Sequence, residues 1–341
     1  IERLNPRLNA VVSTCFDQAL DEAKTIDTQL AKSAPTDQDV PSFLGVPFLI
    51  KDLTYVKCLP ATLGSRFLKD NIAQADSKIV EKFRRTGLVV VGMSNTSELG
   101  ILPTTEPLAH GPTRNPWNQD RTPGGSSGGA AAAVASGMTP IAHASDGGGS
   151  IRIPASCCGL FGYKATRGLT PGAGPFGLGS ELIVSRSVRD SAAMLDIIWA
   201  MDPDFPFFKA SNSRSFLDAV EKATESAQAG EKADKGTNAD ALSGSHTRKL
   251  RIGWTVQAPN GAPIDRACVE AVERAAALCA ELGYEVEEAS PSFNLHQHPG
   301  AFMVLWAATC APNVDPLLAR YPQVEIGFDG FEPFTQALYR Q

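Results

Sequence analysis

The sequence has no excess of positive charge: 31 lysines and arginines stand against 37 aspartates and glutamates, a formal net charge of -6. Without a general basic field, the electrostatic footprint of a nucleic-acid binder is missing, and a small-molecule partner is expected. Cysteine is sparse and shows no pairing pattern. The seven cysteines are an odd number spread between Cys15 and Cys310, with no CxxC and no histidine spacing suited to zinc, which reads as a reducing cytoplasm and no metal. No apolar run reaches the roughly 18 residues of a bilayer span, so no membrane span is expected. The opening IERLNPRLNA lacks the pattern of a signal peptide, and there is no initiator Met. The chain is therefore expected to be one domain, residues 1–341, truncated at both ends. No internal repeat is present.

What remains is ordinary globular material, 43% apolar and 20% charged, able to bury a large core. FLGVPFLI at 43–50 is an apolar run between turn residues and predicts a buried strand ending at Lys51. SKIVEKFRRTG, with Ile79, Val80 and Phe83 on one face and Gly87 as its stop, predicts a helix feeding the strand LVVVG. The alternation returns later: LRIGWTV as strand, Ile264 to Leu282 as a helix stopped by Gly283, YEVEEA as strand. Strands alternating with helices argue for an α/β sheet protein. Residues 221–249 carry almost no large apolar side chains and are expected to form a flexible surface insertion.

Glycine, by contrast, is concentrated. RTPGGSSGGAAAAVASGMTPIAHASDGGGSIRIPAS, residues 121–156, sets two glycine-serine clusters around an alanine-rich run. Glycine loses more backbone freedom on folding than any other residue, so clusters signal unusual dihedrals or close approach to a ligand. A flexible linker would be flanked by polar segments, yet this cluster runs into a helix-compatible stretch and then a strand candidate, TPIAHAS. Phosphate binding would need GxxxxGK[ST] or a GxGxxG opening after a strand, and neither occurs. A serine nucleophile is the third reading. Gly124-Gly125-Ser126-Ser127-Gly128 formally matches GxSxG, but the preceding NQDRTP is a poor strand for a nucleophile elbow.

A nucleophilic serine needs a base and oxyanion donors. In Asp146-Gly147-Gly148-Gly149-Ser150, glycines preceding a serine can aim consecutive amides at one oxyanion. As bases, the histidines are unpersuasive: His246 falls in the insertion, His296 and His298 in a loop-like stretch, and His110 and His143 have no evident acidic partner. Lys51 at the end of a buried strand is the alternative, since desolvation lowers a lysine's pKa.

Taken together these residues resemble the amidase signature family. Its hallmark is a GGSSGG cluster followed, 24 residues after its first serine, by a second serine in a GGS-[IV]-R context, as Ser126 and Ser150 in GGGSIRIPAS are here. The likeness extends to GVPFLIKDL, GMSNTSELG, TRNPWN and SVRDSAAMLD. It implies an α/β amidase-signature fold, one large mixed sheet flanked by helices on both faces. It implies a Ser-cisSer-Lys triad: Ser150 as nucleophile, Ser126 after a cis peptide as proton relay, Lys51 as general base. The amides of Gly147, Gly148, Gly149 and Ser150 would form the oxyanion hole, with Ser127, Asp146 and Arg152 in support. No cofactor is implied. The partner would be a small-molecule amide, cleaved to acid and amine or ammonia through an acyl-enzyme, and a homodimer is compatible with the family.

Substrates vary within the family, from fatty and aryl amides to cyclic amide oligomers and glutamine in a tRNA-dependent amidotransferase, so the catalytic core does not name the substrate. TTEP, TRNPWN and FMVLWAATC look most like the bacterial branch that includes cyclic-dimer hydrolases. On that resemblance Gly100, Thr104 and Cys310 are the candidate substrate-binding residues. Two other readings stand beside it: a glutamine-hydrolysing amidotransferase subunit, and an inactive amide-binding relative.

Overall fold

The structure is a computed structural model describing residues 1–33, 40–172, 177–200, 215–228, 250–258, 260–290, 298–320 and 330–341. The chain divides into two compact units, Ile1–Phe216 with Ala307–Gln341, and Leu217–Trp306, where one domain is expected from sequence. In chain order the elements are α1 (Asn5–Leu8), β1 (Val11–Thr14), α2 (Phe16–Ser33), β2 (Pro47–Lys51), α3 (Lys78–Arg85), β3 (Val89–Ser94), α4 (Gly128–Ala135), β4 (Ile141–Asp146), α5 (Arg152–Cys158), β5 (Phe161–Gly162), β6 (Ser180–Ser185), α6 (Val188–Ala200), α7 (Phe216–Gln228), β7 (Arg251–Trp254), α8 (Arg266–Glu281), β8 (Glu285–Glu288), α9 (His298–Arg320) and α10 (Pro333–Tyr339).

The first unit is built on a six-stranded sheet in the order β1-β3-β2-β4-β6-β5. β2 runs parallel to both β3 and β4, while β1, β5 and β6 join antiparallel, so the sheet is mixed and flanked by helices. Central strands are buried on both faces and read as continuous apolar runs. Phe48, Leu49 and Ile50 of β2 accordingly have no exposed surface. α3 turns Ile79, Val80 and Phe83 inward, and the Phe83 ring meets Phe48 at 4.9 Å between centroids. α4 is apolar all round and buried from Gly128 to Val134, as such a helix must be.

The second unit holds a β-α-β crossover: β7 and β8 pair in parallel, with α8 between them in sequence. Asp265 caps α8 by accepting the Ala267 amide at 2.8 Å, satisfying one of the amides that a helix start leaves free. Residues 221–228 of the expected insertion belong to α7, and residues 229–249 lie outside the described residues. Within α9, Gly300–Arg320 is long and apolar enough to cross a membrane by length and composition, with mean hydropathy 1.2, although the sequence reading expects no such run. It contains Pro312 and Pro316, and its Cys310 and Val314 are buried.

Candidate active site

β2 delivers a lysine where its apolar run stops. Lys51, the last residue of that strand, has no exposed surface. Loss of hydration disfavours its charged form and pulls its pKa down to about 7, against the opposing attraction of Asp146 and Glu181. Its Nζ donates to Ser126 Oγ at 2.7 Å and to Ser145 Oγ at 3.0 Å.

Ser126 lies in the first glycine cluster, after a cis Gly125–Ser126 peptide. The glycines there are explained by close approach of backbone. A Cβ on Gly125 would meet the Thr104 carbonyl, and one on Gly129 would meet the Asn95 amide and the Ala10 carbonyl. Thr105 braces the loop: its Oγ1 accepts the Gly128 amide at 3.0 Å and donates toward the carbonyls of Gly124 at 3.0 Å and Ser126 at 3.3 Å. Ser127 links the cluster to β4 by accepting the Ser145 amide at 3.4 Å and donating to the Ser145 carbonyl at 3.3 Å.

The second cluster begins where β4 ends. Asp146 accepts the Gly149 amide at 2.6 Å and the Ile151 amide at 3.2 Å, bracketing Ser150. Arg152 closes on the same carboxylate with Nε at 2.8 Å and Nη2 at 3.1 Å. Burial works to raise the pKa of Asp146, but hydrogen bonds and charge from Arg152, with the two amides, outweigh it and hold the carboxyl below its ordinary value. Of the four amides expected to face an oxyanion, that of Gly149 is therefore taken. Among the described residues those of Gly147, Gly148 and Ser150 have no protein acceptor. Ser150 itself is buried.

Two histidines set aside in sequence do have acidic neighbours. His110 Nε2 lies 2.7 Å from Thr62 Oγ1 and 3.5 Å from Asp52 Oδ2, and Thr62 Oγ1 donates to that carboxylate. His143 Nε2 lies 3.9 Å from Glu181 Oε1. These partners come from distant chain segments, so spacing could not reveal them. His246 and His296 lie outside the described residues, and His298 opens α9. The candidate substrate residues are spread. A Cβ on Gly100 would stand 3.4 Å from Ser126 Oγ, and Thr104 packs its backbone on Gly125. Cys310 is turned to the Thr335 carbonyl, 3.8 Å away. Among the described residues no group of three or more His, Cys, Asp or Glu could hold a metal ion.

The amidase family model matches residues 1–324. The chain belongs to the amidase family. Within that family it is similar to a 6-aminohexanoate-cyclic-dimer hydrolase of Paenarthrobacter ureafaciens, 37% identical over 302 residues that cover 85% of this chain and 54% of that protein. The solved structure of a 6-aminohexanoate cyclic dimer hydrolase complexed with substrate superimposes with a TM-score of 0.80 at 30% identity, over 99% of this chain and 65% of that one. A bacterial aryl acylamidase of the amidase signature family superimposes with a TM-score of 0.82 at 28% identity, over 100% of this chain and 66% of that one. The chain spans about half the length of the curated relatives it matches.

In this amidase chain, sequence reading misses three residues around the triad candidates: Ser145, Thr105 and Glu181. Ser145 and Thr105 carry no motif. Glu181 leaves one signal, an acid inside the apolar strand SELIVS.

Proposed function

We propose that the chain carries the catalytic machinery of an amidase that cleaves a carboxylic amide to acid and amine through an acyl-enzyme on Ser150. One observation carries the reading: a buried lysine amine that titrates near neutrality donates to a buried serine hydroxyl, Lys51 Nζ to Ser126 Oγ at 2.7 Å. A neutral amine can take a proton from Ser126 as Ser126 takes one from Ser150. The Ser150 oxygen then adds to the amide carbonyl, and the unpaired amides of Gly147, Gly148 and Ser150 are the donors for the oxyanion. Returning the proton along the same route releases the amine, and water cleaves the ester. Ser127, Asp146 and Arg152 hold the two loops in register.

Relatives named for a cyclic dimer of 6-aminohexanoate and for aryl acylamidase activity favour an uncharged amide over glutamine. The cysteines are all free, which supports a reducing cytoplasm. The test is labelling of the full-length protein with a fluorophosphonate probe, together with turnover of an amide panel that includes glutamine. Labelling should map to Ser150, and Ser150→Ala should lose both labelling and hydrolysis. Labelling at Ser126 would overturn the assignment, turnover of glutamine alone would favour the amidotransferase reading, and neither labelling nor turnover would favour an inactive amide-binding relative.

A further inference from the structure

Behind the Lys51–Ser126 contact lies a second group of titratable side chains that the proposed reaction does not use. β4 and β6 run antiparallel with Ser145 opposite Glu181, and directly opposed residues project from the same face of a sheet. Ser145 is also the residue whose hydroxyl takes the second hydrogen bond from Lys51 Nζ. Glu181 thus stands one strand beyond the lysine. Its side chain is 18% exposed, and Gly172 packs so closely on it that a Cβ there would collide with its Cγ and Cδ. Among the described residues its carboxyl makes no side-chain hydrogen bond, and the cation-capable atom nearest to it is His143 Nε2 at 3.9 Å.

His143 accepts the Lys51 backbone amide on Nδ1 at 3.4 Å, so its remaining hydrogen is on Nε2, which has no partner. Burial first, and the neighbouring Lys51 second, push its pKa down to about 3. His143 therefore stays neutral at working pH. The groups acting on Lys51 from β4 and β6 are then His143, Asp146 and Glu181. Asp146 is saturated by Arg152 and backbone amides and keeps its charge. Glu181 is different: burial raises it to about 7 and only the attraction of Lys51 opposes this. An ion pair held in a poorly solvated site without supporting hydrogen bonds is costly compared with its neutral form.

We propose that Glu181 is a positioning residue for the base, sharing one proton with Lys51 so that the ammonium becomes an amine by giving its proton to the carboxylate. The exchange balances within the pair: ammonium and carboxylate become amine and carboxylic acid, and no net charge leaves the site. The proposal rests on the reading of Lys51 as base.

The test is the pH dependence of Ser150 labelling by a fluorophosphonate, and of kcat/KM, in the full chain. The wild type should show an acid limb shaped by two coupled ionisations. Glu181→Gln should show a single ionisation displaced to lower pH by roughly one unit, which makes labelling on the acid flank about tenfold faster relative to its plateau. Glu181→Asp, with the carboxyl drawn back, should fall between them. A Glu181→Gln profile that overlays the wild type overturns the proposal and leaves the base assignment standing; if that variant does not fold, an unshifted limb in Glu181→Asp does the same. Full labelling in Lys51→Arg would instead overturn the base assignment, and this proposal with it.

Discussion

Lys51 Nζ and Ser126 Oγ meet at 2.7 Å in a place where neither residue keeps more than 1% of its surface exposed. Burial has two consequences: it makes the amine available near neutrality, and it leaves no water to replace it as a proton acceptor. Lys51→Arg keeps the charge but not the chemistry, because a guanidinium stays protonated at any usable pH. We expect kcat/KM to fall by about a hundredfold to ten-thousandfold, the usual contribution of a positioned base. Steady-state hydrolysis by variants with native circular dichroism would check it, and wild-type turnover in Lys51→Arg would return the search to His110 and His143.

The two members of the Asp146–Arg152 pair are not equivalent. Arg152 has a side chain 51% exposed, whereas the Asp146 carboxylate is buried and also holds the Gly149 and Ile151 amides. Removing a buried acceptor strands its donors, at a cost of about 1–3 kcal/mol, while a half-exposed partner is worth much less. Asp146→Ala should therefore lower the urea midpoint clearly more than Arg152→Ala. It should also depress kcat, since the loop it fixes carries Ser150. Equal midpoints would show that the ion pair, and not the amide contacts, fixes this loop.

Glycines in the first cluster should divide sharply from others in the chain. Gly125 and Gly129 face backbone atoms at distances no Cβ can adopt, whereas Gly300 in α9 has nothing within 4 Å. Gly125→Ala or Gly129→Ala should destabilise by about 1–3 kcal/mol or more through overpacking. Gly300→Ala should be neutral or gain up to about 1 kcal/mol from helix propensity. Thermal denaturation of the three variants distinguishes close packing from a general intolerance of glycine replacement.

Much of the local structure was legible. Apolar runs bounded by turn residues mark β2, β3 and β4, and glycine stops with positive φ at Gly87 and Gly283 end α3 and α8 where expected. The positions of Lys51, Ser126 and Ser150 follow from the motif spacing. What the sequence does not carry is register. Ser145 becomes a partner of Lys51, and Glu181 its neighbour, only because β6 returns antiparallel to β4 with those two residues opposed. A one-residue slip would turn both to the other face. For the same reason His110 and His143 look partnerless in sequence: their acidic neighbours arrive from other elements. The engagement of Gly149 by Asp146 was likewise hidden, since a run of glycines does not say which amide turns inward.

The last prediction concerns what Lys51 costs the fold. In the unfolded chain a lysine titrates at its ordinary value of 10.5, while in the folded protein burial brings Lys51 down to about 7. Between those values the unfolded state binds more protons than the native state, so this residue makes stability rise with pH. Below about 7 the penalty is at its full extent, and above 10.5 it is gone. Glu181, raised by burial to about 7, acts in the opposite sense but at lower pH, between its ordinary 4.5 and that value. The window above pH 7.5 therefore isolates the lysine. Lys51→Met removes the titration and leaves Ser126 and Ser145 short of one donor, a loss that does not vary with pH. Relative to wild type, the variant should thus look best near pH 7.5 and lose that advantage steadily toward pH 10, at up to about 1.4 kcal/mol per pH unit. Urea unfolding of both proteins across this range measures the difference, in which cysteine and tyrosine titrations cancel. A constant difference would mean that Lys51 is charged in the folded protein, and the base assignment would fail on thermodynamic grounds, independently of any substrate.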